Sequence, residues 1–170
     1  MFLNNKKENY KLREDIRNYL NQLQDVIKRM ADNSKSCKQY CITIFAGYLA
    51  LLGVQFENNV NIPIYVHIGM LLIIIVFMFL DAWYLKLERL FRNIFNGYVK
   101  IFRENASSNL IKERIYDFDI ASEYAIGKNT CFRKIICSKS ILAIYFSQSI
   151  FVIIQLLQNI LKFNILKNII

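Results

Sequence analysis

Two stretches without a charged side chain constrain this chain more than any other feature. No charged residue occurs between Gln39 and Phe56, and none between Val60 and Leu80. A bilayer core is roughly 30 Å thick, and a helix needs about 20 apolar residues to cross it. The chain is 55% hydrophobic, but the clumping of its charges, more than that fraction, separates it from a greasy soluble domain. The pattern predicts a first span from about Tyr40 to Phe56 and a second from about Ile64 to Leu80. Between them, Glu57-Asn58-Asn59-Val60-Asn61 reads as a tight turn. Pro63 suits the first turn of the following helix, where its missing N–H costs nothing. Small residues, Ala46, Gly47, Ala50 and Gly53, fall within the first span, where they let helices approach closely in lipid.

Orientation follows from the basic residues. Residues 1–38 hold nine Lys and Arg, residues 86–139 hold eleven, and the turn holds none. Both ends of the hairpin are therefore expected in the cytoplasm, with the turn outside. Trp83 and Tyr84 stand where an aromatic belt is expected. The net charge of +9 is explained by these flanks. No basic stripe interleaved with aromatics marks a nucleic-acid surface, so no direct nucleic-acid partner is expected. The polar start of the chain has no early apolar segment and no small-residue cleavage site, so no removable signal peptide is expected.

Outside the two spans the chain keeps helical periodicity. Leu12, Ile16, Tyr19, Leu20, Leu23, Ile27 and Met30 form an apolar stripe on a helix over residues 6–33, with a break expected at Asp32-Asn33-Ser34. That stripe must meet a copy of itself, a later cytoplasmic helix or the membrane surface. The second span is expected to continue into the cytoplasm through Leu87, Leu90, Phe91, Ile94, Phe95, Tyr98 and Phe102, with a bend at Asn96-Gly97. Ala106-Ser107-Ser108-Asn109 reads as a break, followed by a second cytoplasmic helix from Leu110 to about Ile126 that ends at Gly127. A last apolar run covers Ser140–Leu161, followed by Lys162 and Lys167. It reads as a third span, with an in-plane or oligomer-facing amphipathic helix as the alternative. The expected fold is an all-α membrane protein in four parts. They are a cytoplasmic amphipathic helix over 1–38, a two-span hairpin over 39–85, a cytoplasmic helical region over 86–139 and a third membrane helix over 140–170.

Two sets of residues stand out. Asp81, Leu85, Glu88 and Arg92 share one face where the second span leaves the membrane. Glu88 and Arg92 are spaced to pair along the helix, and Asp81 needs a cation or donor because an unpaired carboxylate there is costly. The set reads either as a charged ring at a pore mouth or as an ordinary exit with a surface ion pair. Gln148, Gln155 and Asn159 form a polar stripe on the last run, reading either as a pore lining or as interhelical hydrogen bonds. His67, the only histidine, is expected to bond a neighbouring helix. A proton relay with Glu57 is the other reading.

The cysteines, Cys37, Cys41, Cys131 and Cys137, are placed on the reducing cytoplasmic side, so disulfides are not expected. Their spacings are not those of a zinc knuckle, so no metal is expected, and the alternative to plain thiols is acylation of Cys37 or Cys41. No phosphate-cradling glycine loop, Ser-His-Asp set or metal-binding histidine motif is present, so neither enzymatic activity nor a cofactor is expected.

The polar first helix, the tight hairpin and the Asp81–Asn96 exit segment together cover roughly residues 6–105. This plan resembles the SLATT class of two-span effector domains of bacterial conflict and antiviral systems. The resemblance implies an effector at the bacterial inner membrane, multi-pass with a cytoplasmic N-terminus, that perturbs the membrane when a soluble antiviral sensor is triggered. A chain of two or three spans cannot enclose a wide path alone, so the expected form is a homo-oligomeric pore or permeabilising assembly. The alternative is a membrane adaptor that anchors a soluble partner through its basic cytoplasmic helices.

Overall fold

The computed structural model describes residues 2–58, 61–103 and 132–169. Among them every regular element is helical. Helix α1 is Phe2–Asn58 and α2 is Ile64–Arg103. Then come two short helices, α3 (Phe132–Ile136) and α4 (Lys139–Ile141). A π-helical turn, Leu142–Phe146, leads into α5, Ser147–Ile169. The second cytoplasmic helix expected over 110–126, with its flanking break and end, and Cys131 lie outside the described residues.

The break expected at Asp32-Asn33-Ser34 does not occur, because α1 runs through it. Ser34 is the reason. Its side chain is buried and donates to a carboxylate on α2, so its hydroxyl is not spent competing for the local backbone as turn serines do. The chain's only proline is Pro63, so neither long helix has a breaker inside it. Helix α2 likewise continues through Asn96-Gly97 as regular helix. At ~1.5 Å per residue, α1 is about 85 Å long and α2 about 60 Å, against ~30 Å of hydrocarbon. Most of α1 and half of α2 must therefore lie outside the lipid if each crosses once. Pro63 sits just ahead of α2, and its carbonyl accepts from the Val66 N–H at 3.0 Å.

The chain divides into two compact units. One comprises residues 1–32 and 84–131, the other residues 33–83 and 132–170. In the first, the stripe of α1 finds its partner. Leu23 is buried with Leu90, Ile94 and Tyr98 of α2, and Tyr19, Leu20, Phe91 and Phe95 pack around them. The Tyr19 and Tyr98 rings meet edge-on at 5.1 Å. Of the three candidate partners, a later helix, α2, is the one that covers Tyr19, Leu20 and Leu23 of this stripe.

The second unit has a surface unlike that of a soluble domain. It carries Ile42, Leu51, Leu72, Val76, Phe79, Ile154 and Leu157, all exposed, over an interior in which Ser34, His67, Asp81 and Gln148 are buried among apolar side chains such as Ile74 and Val152. Water would penalise such a surface, and hydrocarbon would not. Among the described residues three helices are long and apolar enough to cross a membrane: Arg13–Gln55, Ile64–Lys100 and Lys139–Lys162. Exposed Tyr65 and Trp83 are about 27 Å apart along α2, the separation expected of two interfacial aromatic belts.

Truncating Leu23 or Ile94 to alanine should each cost about 2–4 kcal/mol. The double variant should show a coupling of about 0.5–3 kcal/mol, measured by unfolding of the detergent-solubilised protein. Simple additivity would mean that the two side chains do not share a core.

Candidate functional site: two polar clusters in the apolar unit

The first cluster is built on Asp81. Its carboxylate is fully enclosed, with 0% exposure, at the end of the apolar run of α2. Lys38 of α1 reaches it, Nζ donating to Oδ1 at 2.7 Å. Ser34, one turn earlier on α1, donates its hydroxyl to the same oxygen and accepts from Lys38 Nζ at 2.9 Å. The spacing explains the arrangement. Residues four apart share a helix face, so α1 presents a hydroxyl and an ammonium together toward α2. The ion pair is one-sided in burial, since Lys38 keeps 19% of its side chain exposed.

The third helix closes this cluster. Gln148 is buried and its Oε1 accepts from the Cys41 thiol at 3.2 Å. Tyr145, in the π turn, is also buried. Asp81 Oδ2 and Tyr145 Oη are both left without a partner. The π turn widens the helix and so changes which residues face inward, and such turns are frequent at functional positions. Ser147 donates to the carbonyls of Ala143 and Ile144, and Ser149 donates to that of Tyr145. These hydroxyls are satisfied on their own helix, which makes them tolerable in lipid.

The second cluster surrounds His67 at the other end of the same unit. Tyr48 Oη lies 2.6 Å from His67 Nδ1. Asn159 Nδ2 donates to the Ile62 carbonyl at 2.6 Å and lies 3.1 Å from His67 Nε2. The amide group faces an acceptor on both sides, so Nε2 accepts and Nδ1–H donates to the Tyr48 oxygen. All three helices meet here, and the Tyr48 and His67 rings also pack edge-on at 5.8 Å. The imidazole bonds its neighbours on α1 and α5, and Glu57 is not among the partners found for it.

The predicted residues thus separate. Asp81 joins the first cluster, while Glu88 and Arg92 belong to the other unit, where they pair with each other at 2.7 Å along an exposed face. Such a pair contributes only about 0.3–0.5 kcal/mol. Gln148 and Asn159 bond other helices. Gln155, between them and half-buried, makes no hydrogen bond to a described residue. The sequence reading missed Lys38, Ser34, Tyr48 and Tyr145. Lys38 was legible as a cation four residues after a serine, but nothing local says that it faces Asp81. The buried thiols of Cys37 and Cys41 are unbridged. Among the described residues no group of three or more His, Cys, Asp or Glu is placed to hold a metal.

Contacts at both ends align the third helix with the hairpin. Phe132 of α3, ahead of the third span, stacks on Phe79 at 6.2 Å, Phe151 meets Phe45 at 5.8 Å midway along the span, and Asn159 bonds Ile62 at the turn. The class of protein defined by this fold is an all-helical protein with three helices able to span a membrane, knit by buried polar bonds. Comparisons with protein-family models, with curated proteins and with solved structures find no match to this chain.

Replacing Lys38 by methionine leaves Asp81 buried and uncompensated, at a cost of about 3–5 kcal/mol. Adding Asp81→Leu should restore stability to within about 1–2 kcal/mol of the native chain. Unfolding of the purified protein in detergent reads both. Equal destabilisation by Lys38→Met and by the double variant would show that the pair is not the binding element.

Proposed function

We propose that this chain is an oligomeric membrane effector that permeabilises a bacterial inner membrane in antiviral defence, with several copies enclosing the path. The observation that carries the reading is a seam on the outside of α1. Gln39, Thr43, Ala46, Ala50, Gly53 and Glu57 recur at alternating spacings of four and three, and all are exposed. Nothing lies within 4 Å of a Cβ built on Gly53 or on neighbouring Gly47. Much of the surrounding surface is large and apolar, whereas this seam is small at its centre and polar at its ends. A 4–3 spacing is that of a helix–helix seam, and small residues let backbones approach where lipid supplies no hydrophobic drive. A second α1 is the natural cover for such a seam.

The interior of one chain supports the same reading from the other side. The amides of Gln148 and Asn159 are consumed by bonds to α1 and α2, so a path through the membrane has to form between chains. Gln155, half-buried and without such a bond, is the member of the polar stripe left for a water-facing or intersubunit role.

A second reading, a membrane adaptor, is favoured by one feature of the first unit. A groove of about 460 Å³ is lined by Ile27, Lys28, Ala31, Arg92, Phe95 and Asn96. Its mixture of apolar floor and basic rim suits a segment of a soluble protein.

Cells producing the chain should depolarise. Ala50→Leu with Gly53→Leu, which fills the seam without adding charge, should cut the rate of depolarisation at least about tenfold, the effect of losing ~1.4 kcal/mol of association. The variant should still fractionate with membranes, and crosslinking should show it as monomer. Undiminished depolarisation by this variant would remove α1 as the assembly face. A steady potential together with a stable soluble partner would favour the adaptor.

A further inference from the structure

At the turn end of the apolar unit a cavity of about 270 Å³ is lined by Asn61, Pro63, Tyr65, Asn159 and Lys162, with Ile62 and Ile64 completing its apolar wall. Its chemistry is asymmetric. Among the described residues no carboxylate lines it, and the charged side chain that does is Lys162. Lys162 is exposed and makes no ion pair with any described residue. The first N–H groups of α2, at Ile64 and Tyr65, have no carbonyl partner within the helix, and the helix N-terminus adds partial positive charge. Asn61 supplies a further exposed amide. The opening lies beside Tyr65, which is 72% exposed and stands at the expected level of an interfacial aromatic.

From these features we infer that the cavity binds the phosphodiester headgroup of an anionic phospholipid, with an acyl chain against the Ile62-Pro63-Ile64 wall. Charge complementarity selects the occupant, because a cation, a helix N-terminus and neutral amides converge with no acid among them. Position selects the lipid over a soluble anion. Lys139 and Lys162 bound the third span and are about 35 Å apart along a helix. Each lysine then stands at one of the two headgroup layers of a bilayer. An anion from the lipid also accounts for a lysine at the end of the span where the distribution of charge disfavours one. The occupant ties the turn to the third helix, adding to the bond from Asn159 to the Ile62 carbonyl. This inference depends on membrane residence alone, and neither assembly nor permeation enters it.

The test is native mass spectrometry of the full-length protein in detergent, titrated with phosphatidylglycerol. One phosphatidylglycerol per chain should be retained preferentially over phosphatidylcholine of the same chain length. Lys162→Glu should weaken retention about 10–100-fold, as expected for loss and reversal of a charge-assisted bond. Asn61→Asp, at an exposed position, should weaken it in the same direction, and Lys139→Glu at the far end of the span should leave this site unchanged. Retained helicity by circular dichroism separates loss of the site from loss of the fold. Equal retention by native protein and Lys162→Glu would overturn the inference, as would equal retention of phosphatidylcholine. Displacement of the lipid by millimolar inorganic phosphate would reassign the cavity to a soluble anion and overturn the lipid assignment.

Discussion

The arrangement of the apolar unit depends on one fully buried carboxylate. Asp81 sits where α2 leaves its uncharged run, and hydrocarbon offers it neither water nor counter-ion. A charge in that position is tolerable only if another helix brings it a cation. Lys38 does so with Ser34, and that requirement fixes the register of α1 against α2 at one end of the unit. The His67 cluster fixes it at the other, where Tyr48 of α1 meets the imidazole. Hydrophobic burial cannot set this register in lipid, because the surroundings are as apolar as the interior. Directional polar bonds can.

The same logic places the third helix. Many of its apolar side chains, Phe146, Ile154 and Leu157 among them, are exposed, and the few that are buried, such as Ile141 and Val152, find surroundings as apolar in lipid as in the interior. Gln148 toward Cys41, near its middle, and Asn159 toward Ile62 and His67, near its far end, are directional bonds, and between them they align it along the hairpin. One carboxylate oxygen of Asp81 and the phenol of Tyr145, which lies in the π turn, are buried without a hydrogen-bond partner. The first unit is held differently. There Leu23, Leu90, Ile94 and Tyr98 form a small core of ordinary kind, charged side chains face outward, and burial supplies the stability. One chain thus uses two modes of cohesion, each suited to its solvent.

Much of this was legible in the sequence. Charge-free runs located the two long spans, and a 3.6-residue period located the stripe around Leu23. What was not legible was long-range. Asp32-Asn33-Ser34 looks like a helix break because serine and asparagine usually serve the local backbone, but a tertiary acceptor took the Ser34 hydroxyl. Lys38 read as one more positive-inside residue, though it answers the need for a cation that Asp81 announced. Glu88 and Arg92 paired as their spacing said, but Asp81 on the same face belongs to a separate cluster. The polar residues of the last run resolved individually. Gln148 and Asn159 bond other helices, Ser147 and Ser149 bond their own, and Gln155 remains uncommitted.

The central claim is that all three apolar helices traverse the same bilayer, so that the end of the third lies with the hairpin turn. Labelling with a membrane-impermeant maleimide, added to one side of sealed vesicles, tests it most directly. The native cysteines are replaced and single cysteines placed at exposed positions Asp32, Asn61, Cys137 and Lys162. The account predicts that Asn61→Cys and Lys162→Cys react from one side, and that Asp32→Cys and the retained Cys137 react from the other. Reaction of Lys162→Cys from the same side as Cys137 would contradict it, leaving the third helix on the membrane rather than through it.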